Sequence, residues 1–329
     1  MTLTKRFLNG ALALLATVIV AAPATADSID SIVFFGDSLS DTGNIWYATG
    51  GFPPFPYNQG SSGGPPDFTG GQWSDPLGPS WPTVFAGYFG LTATPSLVPG
   101  GNNYAWGGAR TGENPDPSGT PWLDQQVATY LATGAPPTAS TLVSIMIGGN
   151  DVANNLLNPV AILSGVYSIV SQMSNLYDAG IRQFLVANVP DVGATPSFQE
   201  LDAIDPGTAA LATFRTMQWN GLLAWVLNVV SDYHLLPGAD VDYLDLFAFG
   251  RDPAVLASFA NTTDPCLTAI SICANPGSYF YWDSFHPSST AHALVAGQAF
   301  AAVVPEPGTL ALLGIGLIGL GLARRRKQV

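Results

Sequence analysis

Positive charge is scarce in this sequence. Of its ten lysines and arginines, six lie at the two ends, leaving only Arg110, Arg182, Arg215 and Arg251 between residues 27 and 304. That stretch carries 22 acidic residues, for a formal charge of −18. So acidic a domain repels nucleic acid, whose binding rests on basic side chains displacing counterions from phosphates. It is equally unsuited to lying flat on anionic lipid, and the charge serves solubility. Cysteine is almost as scarce. Cys266 and Cys273 have no histidine or third cysteine beside them, which excludes a zinc site of the usual ligand count. Histidine occurs three times, at positions 234, 286 and 292, so chemistry that needs an imidazole has few places to sit.

Long apolar runs are found at the ends. Lys5-Arg6, an apolar run from Phe7 to Ala22 and Ala24-Thr25-Ala26 make a secretory signal peptide over residues 1–26. A membrane anchor fits less well, because the run is short and is followed by Pro23. At the other end, Val304-Pro305-Glu306-Pro307 precedes an apolar run over 308–323 and then Arg324-Arg325-Arg326-Lys327. The run and its basic stop predict a short membrane segment and transient anchoring. The three parts, in this order, resemble the PEP-CTERM sorting tails of Gram-negative bacteria. The resemblance implies processing by an exosortase and delivery to the cell envelope or exterior. Gly314, Gly316 and Gly319 satisfy the dinucleotide-binding pattern but have no strand before them, so the match is discarded. The expected organisation is a signal peptide (1–26), one domain (27–304) and a sorting tail (305–329). In an exported chain, Cys266 and Cys273 are expected to form a disulfide.

Between the ends, strands alternate with helices. Buried strands are expected over the apolar run Ser31–Phe35, stopping at Gly36, and over Thr141–Ile147 and Arg182–Val189, with others at Asn102–Trp106 and Val241–Phe247. Helices are expected at Thr83–Phe89, Trp122–Leu131, Pro159–Ala179, Pro206–Tyr233 (interrupted at Gly221) and Ser289–Ala302. This alternation predicts a parallel sheet with helices on both faces, a three-layer α/β/α sandwich. Residues 46–82 are rich in glycine, proline and aromatics, and read as a long ordered loop forming either a pocket wall or a packed structural element. Within it, Gly60-Ser61-Ser62-Gly63-Gly64 matches the G-x-S-x-G nucleophile pattern but lacks the flanking strand and helix.

Four polar turns carry the chemistry. Gly36-Asp37-Ser38-Leu39 ends the first strand, where an open α/β sheet places its active site. A serine there is a candidate nucleophile. His286 is the candidate base, and Asp283, three residues earlier, can hold its tautomer. His234 and His292 are read as structural. Developing negative charge needs donors, which the Ser38 N–H, a glycine N–H at Gly107-Gly108 and the Asn150 amide could supply. Gly107 and Gly108 both fit, and Gly108 is the one taken.

Gly36-Asp-Ser-Leu39, Asn103-Tyr-Ala-Trp-Gly-Gly108, Gly148-Gly-Asn-Asp151 and Asp283-Ser-Phe-His-Pro287 together resemble the GDSL esterases and lipases, also called SGNH hydrolases. The ordered blocks cover residues 31 to about 302. The resemblance implies a flavodoxin-like sandwich, no metal or organic cofactor, and a small-molecule or lipid ester as substrate. It carries the nucleophile onto Ser38, the oxyanion donors onto Ser38, Gly108 and Asn150, and the acid and base onto Asp283 and His286. The expected activity is ester hydrolysis through an acyl-enzyme. An acyltransferase of the same branch and a non-catalytic surface protein on an inherited fold are the alternatives.

Overall fold

A computed structural model describes residues 29–59, 71–112, 119–134, 137–138 and 140–304. The signal peptide, the Gly60–Gly64 pattern and the sorting tail with its apolar run all lie outside these residues. Among the described residues, no helix is long and apolar enough to cross a membrane.

Four strands form one parallel sheet in the order Ser31–Gly36 (β1), Thr141–Met146 (β2), Gln183–Ala187 (β3) and Asp240–Leu244 (β4). Side chains alternate between the faces of the sheet. Val33 and Phe35 of β1, Val143 and Ile145 of β2, and Phe184 and Val186 of β3 enter one core. Ile32, Phe34, Leu142, Leu185 and Leu244 enter the other. Both faces are therefore apolar, as the continuous β-branched and aromatic runs require.

The helices follow in chain order: Asn44–Thr49 (α1), Trp81–Tyr88 (α2), Leu123–Ala132 (α3), Gly149–Asn154 (α4) and Pro159–Asp178 (α5), then Pro196–Ile204 (α6), Thr208–Asp232 (α7), Leu246–Phe249 (α8), Pro253–Leu256 (α9) and Ser289–Val303 (α10). Leu123 of α3, Ile169 of α5 and Trp219 of α7 cover the first face. Trp81 and Phe85 of α2 cover the second, with Ala291, Val295 and Ala299 of α10. The three-layer sandwich expected from the sequence is the observed fold. A small second sheet pairs Asn261–Pro265 (β5) with Tyr279–Tyr281 (β6).

The expected strand Asn102–Trp106 is only partly formed. It touches the free edge of β1 through one parallel bridge, Phe34 to Asn103. Backbone bonds continue along it, from Phe34 N to Asn102 O, Tyr104 N to Phe34 O and Trp106 N to Gly36 O, at 2.7–3.1 Å. Side chains stand in for the rest of the ladder: Gly36 N donates to Gln126 Oε1 instead of to this segment, and on its outer edge Asn103 Nδ2 donates to Ser40 O while Asn103 Oδ1 accepts from Ala105 N. Counted as a strand, this segment gives the chain order 2-1-3-4-5, the flavodoxin-like arrangement. The switch point then falls between β1 and β2, where such folds bind ligands.

Helix α7 also differs from expectation, running without interruption through Gly221. A glycine inside a helix costs about 1 kcal/mol relative to alanine. Burial of Trp219 and Leu223 on either side outweighs that local preference. Helices α1, α4, α6, α8 and α9 and the small sheet were not anticipated, and the strand expected over Val241–Phe247 ends at Leu244, where Asp245 caps α8 by accepting from Ala248 N.

Candidate active site

The site lies where β1 and β2 end side by side, with Gly36 opposite Met146. Gly36 has to be glycine, since a Cβ there would sit 2.4 Å from the Met146 carbonyl oxygen. Gln126 of α3 closes the strand end, accepting from Gly36 N at 3.0 Å and donating to Gly36 O at 2.9 Å. The chain then turns, with the N–H groups of Ser40 and Asp41 both donating to Asp37 O. The turn leaves Ser38 at the strand end, 6 % exposed.

His286 comes from the other end of the chain. Its Nε2 lies 2.8 Å from Ser38 Oγ, and its Nδ1 lies 2.8 Å from Asp283 Oδ2. The spacing of three is achieved by a carboxylate-capped turn rather than a helical one. Asp283 Oδ1 accepts from Phe285 N at 2.7 Å and from His286 N at 2.6 Å. Burial alone would raise this carboxyl, but the His286 side chain and the two backbone donors prevail and lower it to about 2. Asp283 is therefore ionised throughout the neutral range.

Two aromatic residues in the 46–82 loop complete the arrangement, and the sequence did not single them out. Tyr57 donates its hydroxyl to Asp283 Oδ2 at 2.7 Å. Burial and the Asp283 charge push its phenol well above the ordinary range, so it remains a donor. Trp73 stacks on His286, and its indole also fills the space a Cβ on Gly107 would need. The aromatic density of the loop was the available signal, but it did not indicate which rings meet the site.

On the other edge of β1, Asp41 is fully buried and organises the glycine turn. Its Oδ1 accepts from Gly43 N and Asn44 N, and its Oδ2 from Ile45 N and Gly107 N. The Gly107 N–H is thus committed. Gly108, exposed and at φ +80°, has an N–H that meets no acceptor among the described residues. Across the β1–β2 junction, Asn150 stands in the first turn of α4. One hydrogen of its Nδ2 goes to Ala109 O at 3.0 Å, which ties α4 to the glycine turn and leaves the second hydrogen. Asp151 anchors the same turn through Thr111, accepting from its N–H and its hydroxyl.

Burial pushes Asp37, beside the serine, up to about 7, against the Leu39 N–H and the His286 charge. Of the other histidines, His292 is buried in α10, where its Nδ1 accepts from Trp81 N, and burial holds it down near 3. His234 ends α7 in an exposed left-handed turn. Cys266 and Cys273 are joined in a disulfide. Among the described residues, no group of three or more histidine, cysteine or acidic side chains is placed to hold a metal.

An α/β sandwich with a serine, an imidazole and a carboxylate in one hydrogen-bonded row can perform acyl transfer at the serine. The chain belongs to the GDSL-like lipase/acylhydrolase family, whose sequence pattern matches residues 32–298. A PEP-CTERM protein-sorting motif matches residues 303–327. That motif directs export to the surface of Gram-negative bacteria, with exosortase processing. A thermolabile hemolysin of Vibrio parahaemolyticus is 28% identical over 82% of this chain and 63% of its own length. A GDSL esterase/lipase of Arabidopsis thaliana is 27% identical over 84% of this chain and 83% of its own length. Two other Arabidopsis members are covered over 50% and 60% of their length, so this chain spans little more than half of several relatives. A solved G-D-S-L family structure from Veillonella parvula aligns with a TM-score of 0.40 at 12% identity, over 82% of this chain and 96% of that one.

Proposed function

We propose that the protein hydrolyses carboxylic esters through an acyl-enzyme on Ser38. The observation that carries this reading is the row Ser38 Oγ–His286 Nε2 and His286 Nδ1–Asp283 Oδ2, each at 2.8 Å. His286 takes the hydroxyl proton as Ser38 Oγ bonds to the ester carbonyl carbon. The carbonyl oxygen becomes an oxyanion, held by the N–H groups of Ser38 and Gly108 and by the second hydrogen of Asn150 Nδ2. The bond to the alcohol oxygen breaks, and His286 returns its proton to that oxygen. Water then repeats the sequence on the acyl-enzyme, releasing the carboxylic acid and restoring Ser38. Asp283, ionised and held by Tyr57, keeps the imidazole oriented and stabilises its charged form.

The sorting motif supports work outside the cytoplasm. The test is hydrolysis of a p-nitrophenyl ester by the full chain, together with covalent labelling by a fluorophosphonate. Wild type should turn over the ester and carry the label on Ser38. Ser38→Ala should abolish labelling and lower kcat by roughly 10³-fold or more. Undiminished hydrolysis by Ser38→Ala would remove the acyl-enzyme.

A further inference from the structure

Beside Ser38 the protein holds an apolar cavity of about 90 Å³. Its deep wall is made of core side chains: Met146 from the end of β2, Leu246 and Phe249 from α8, Phe280 and Tyr281 from β6, and Val295 from α10. All six are less than a tenth exposed. Polar groups gather nearer the chemistry, where Asp37 and Ser38 join the wall. Asp191 lines it too, but its carboxylate is already engaged by Arg251, Thr213 Oγ1 and Gly193 N. No lysine or arginine lines the cavity.

We propose that this cavity binds the acyl group of the substrate and restricts it to short, uncharged chains. The proposal rests on the ester-hydrolase reading of Ser38. Three observations assign the acyl group rather than the alcohol. His286, which must protonate the departing oxygen, is absent from the wall, so the leaving group belongs on another side of the serine. The alcohol must also depart before water can reach the acyl carbon, and it leaves more readily from the His286 side than from a recess walled mostly by core side chains. The acyl group, by contrast, stays bonded to Ser38 Oγ through deacylation and gains from an enclosed apolar seat.

Size and charge set the class. An engineered cavity of about 150 Å³ takes the six carbons of benzene, so 90 Å³ seats about four carbons beyond the ester carbonyl. A carboxylate-bearing chain would bury its charge among apolar side chains with no lysine or arginine to pair it, so dicarboxylic half-esters are excluded. Ala194 lies at the exposed edge of the wall and Val295 in its floor. A larger side chain at either position should shorten the accepted chain.

The experiment is kcat/KM of the full chain on p-nitrophenyl acetate, butanoate, hexanoate, decanoate and palmitate. Wild type should prefer butanoate or hexanoate over decanoate by about tenfold or more, since each methylene that fits or clashes in an apolar pocket counts for that much. Val295→Phe and Ala194→Phe should each lower the hexanoate-to-acetate ratio about tenfold. Ala194 is exposed, so its variant remains informative if Val295→Phe does not fold. A wild-type optimum at decanoate or palmitate, or an unchanged ratio in Ala194→Phe, overturns the proposal. So does a ratio that responds to the alcohol rather than to the acyl chain, tested with butyl and hexyl acetates. Failure of the underlying reaction reads differently: no ester is turned over and Ser38 takes no fluorophosphonate.

Discussion

Trp73 lies over the imidazole of His286, ring centroids 4.7 Å apart and planes 32° from parallel. Phe52 and Tyr57 meet Trp73 edge-on, at 5.4 and 5.8 Å, and hold it there. The same indole lies against Gly107, where an added Cβ would come within 2.8 Å of it. One side chain thus sits against both the proposed base and the proposed oxyanion turn. Its contribution is positional, because an indole has no basic nitrogen to take the serine proton.

Trp73→Leu should therefore lower kcat by about tenfold or more, since misplacement of about 1 Å costs up to about 10²-fold in rate. KM should change little. Trp73→Phe, which keeps a ring over the imidazole, should recover most of the loss. Equal kcat values for the leucine and phenylalanine variants would show that the stack does not matter.

Asn150 has two partners, Ala109 O in the free protein and, in the proposed reaction, the oxyanion. Asn150→Ala should lower kcat by roughly 10²–10³-fold with little effect on KM, the pattern of a donor used in the transition state. An effect confined to KM would reassign the side chain to ground-state binding.

The contrast between what could be read from the chain and what could not has a physical basis. Ile32–Phe35 announces a strand because both of its faces are buried, which makes the run continuously apolar. Ser38, Asn150 and the Asp283–His286 pair were legible because each sits in a short polar turn at a strand end or before a helix, where local chemistry changes abruptly. Tyr57 was not legible, since its bond to Asp283 spans 226 residues and depends on how a long loop returns to the site. Trp73 reaches His286 across a similar distance. That the Gly107 N–H is already taken by Asp41 was not legible either, because the contact joins two turns 66 residues apart. Helix α7 crosses Gly221 because tertiary burial outweighs a local preference that the sequence states plainly.

Three buried carboxyls and one half-buried one set an acid-favoured stability profile. Burial raises Asp37 to about 7, and Asp41, Asp151 and Asp242 each to about 6, from 3.8. Between about pH 4 and pH 7 the folded protein binds more protons than the unfolded chain, so stability is full at the low end and is lost as pH rises. Asp283 and His292 act oppositely. The contribution of Asp283 is lost only as pH falls below 4 towards 2. His292, held near 3 by burial, adds stability as pH rises towards 6.5, which offsets only part of what the four carboxyls lose. The denaturation midpoint should be higher at pH 5 than at pH 8. Asp41→Asn should lower the pH 5 midpoint and flatten the slope. A midpoint that rises from pH 5 to pH 8 would contradict the burial argument.

The disulfide bears on the rate as well as on the fold. Asp283 and His286 sit on a loop, which has more freedom to lose than a strand end. The bridged segment is fastened to the strand leading into that loop, with Cys266 N bonded to Tyr281 O at 3.1 Å and Leu267 N to Trp282 O at 2.6 Å. Trp282 N in turn bonds His286 O at 2.8 Å. With Cys266 and Cys273 seven residues apart, the closed loop is small. The chain-entropy estimate for so short a loop is about 2–3 kcal/mol of global stability. Displacement of the Asp283–His286 pair, however, multiplies directly into the rate. Cys266→Ser/Cys273→Ser should thus lower kcat on a soluble ester by about tenfold while the protein remains folded at room temperature. The measurement is kcat alongside a denaturant melt, for oxidised wild type and the double variant. A lowered midpoint with unchanged kcat would confine the bridge to stability, because the strand's own hydrogen bonds would then suffice to hold the histidine against Ser38.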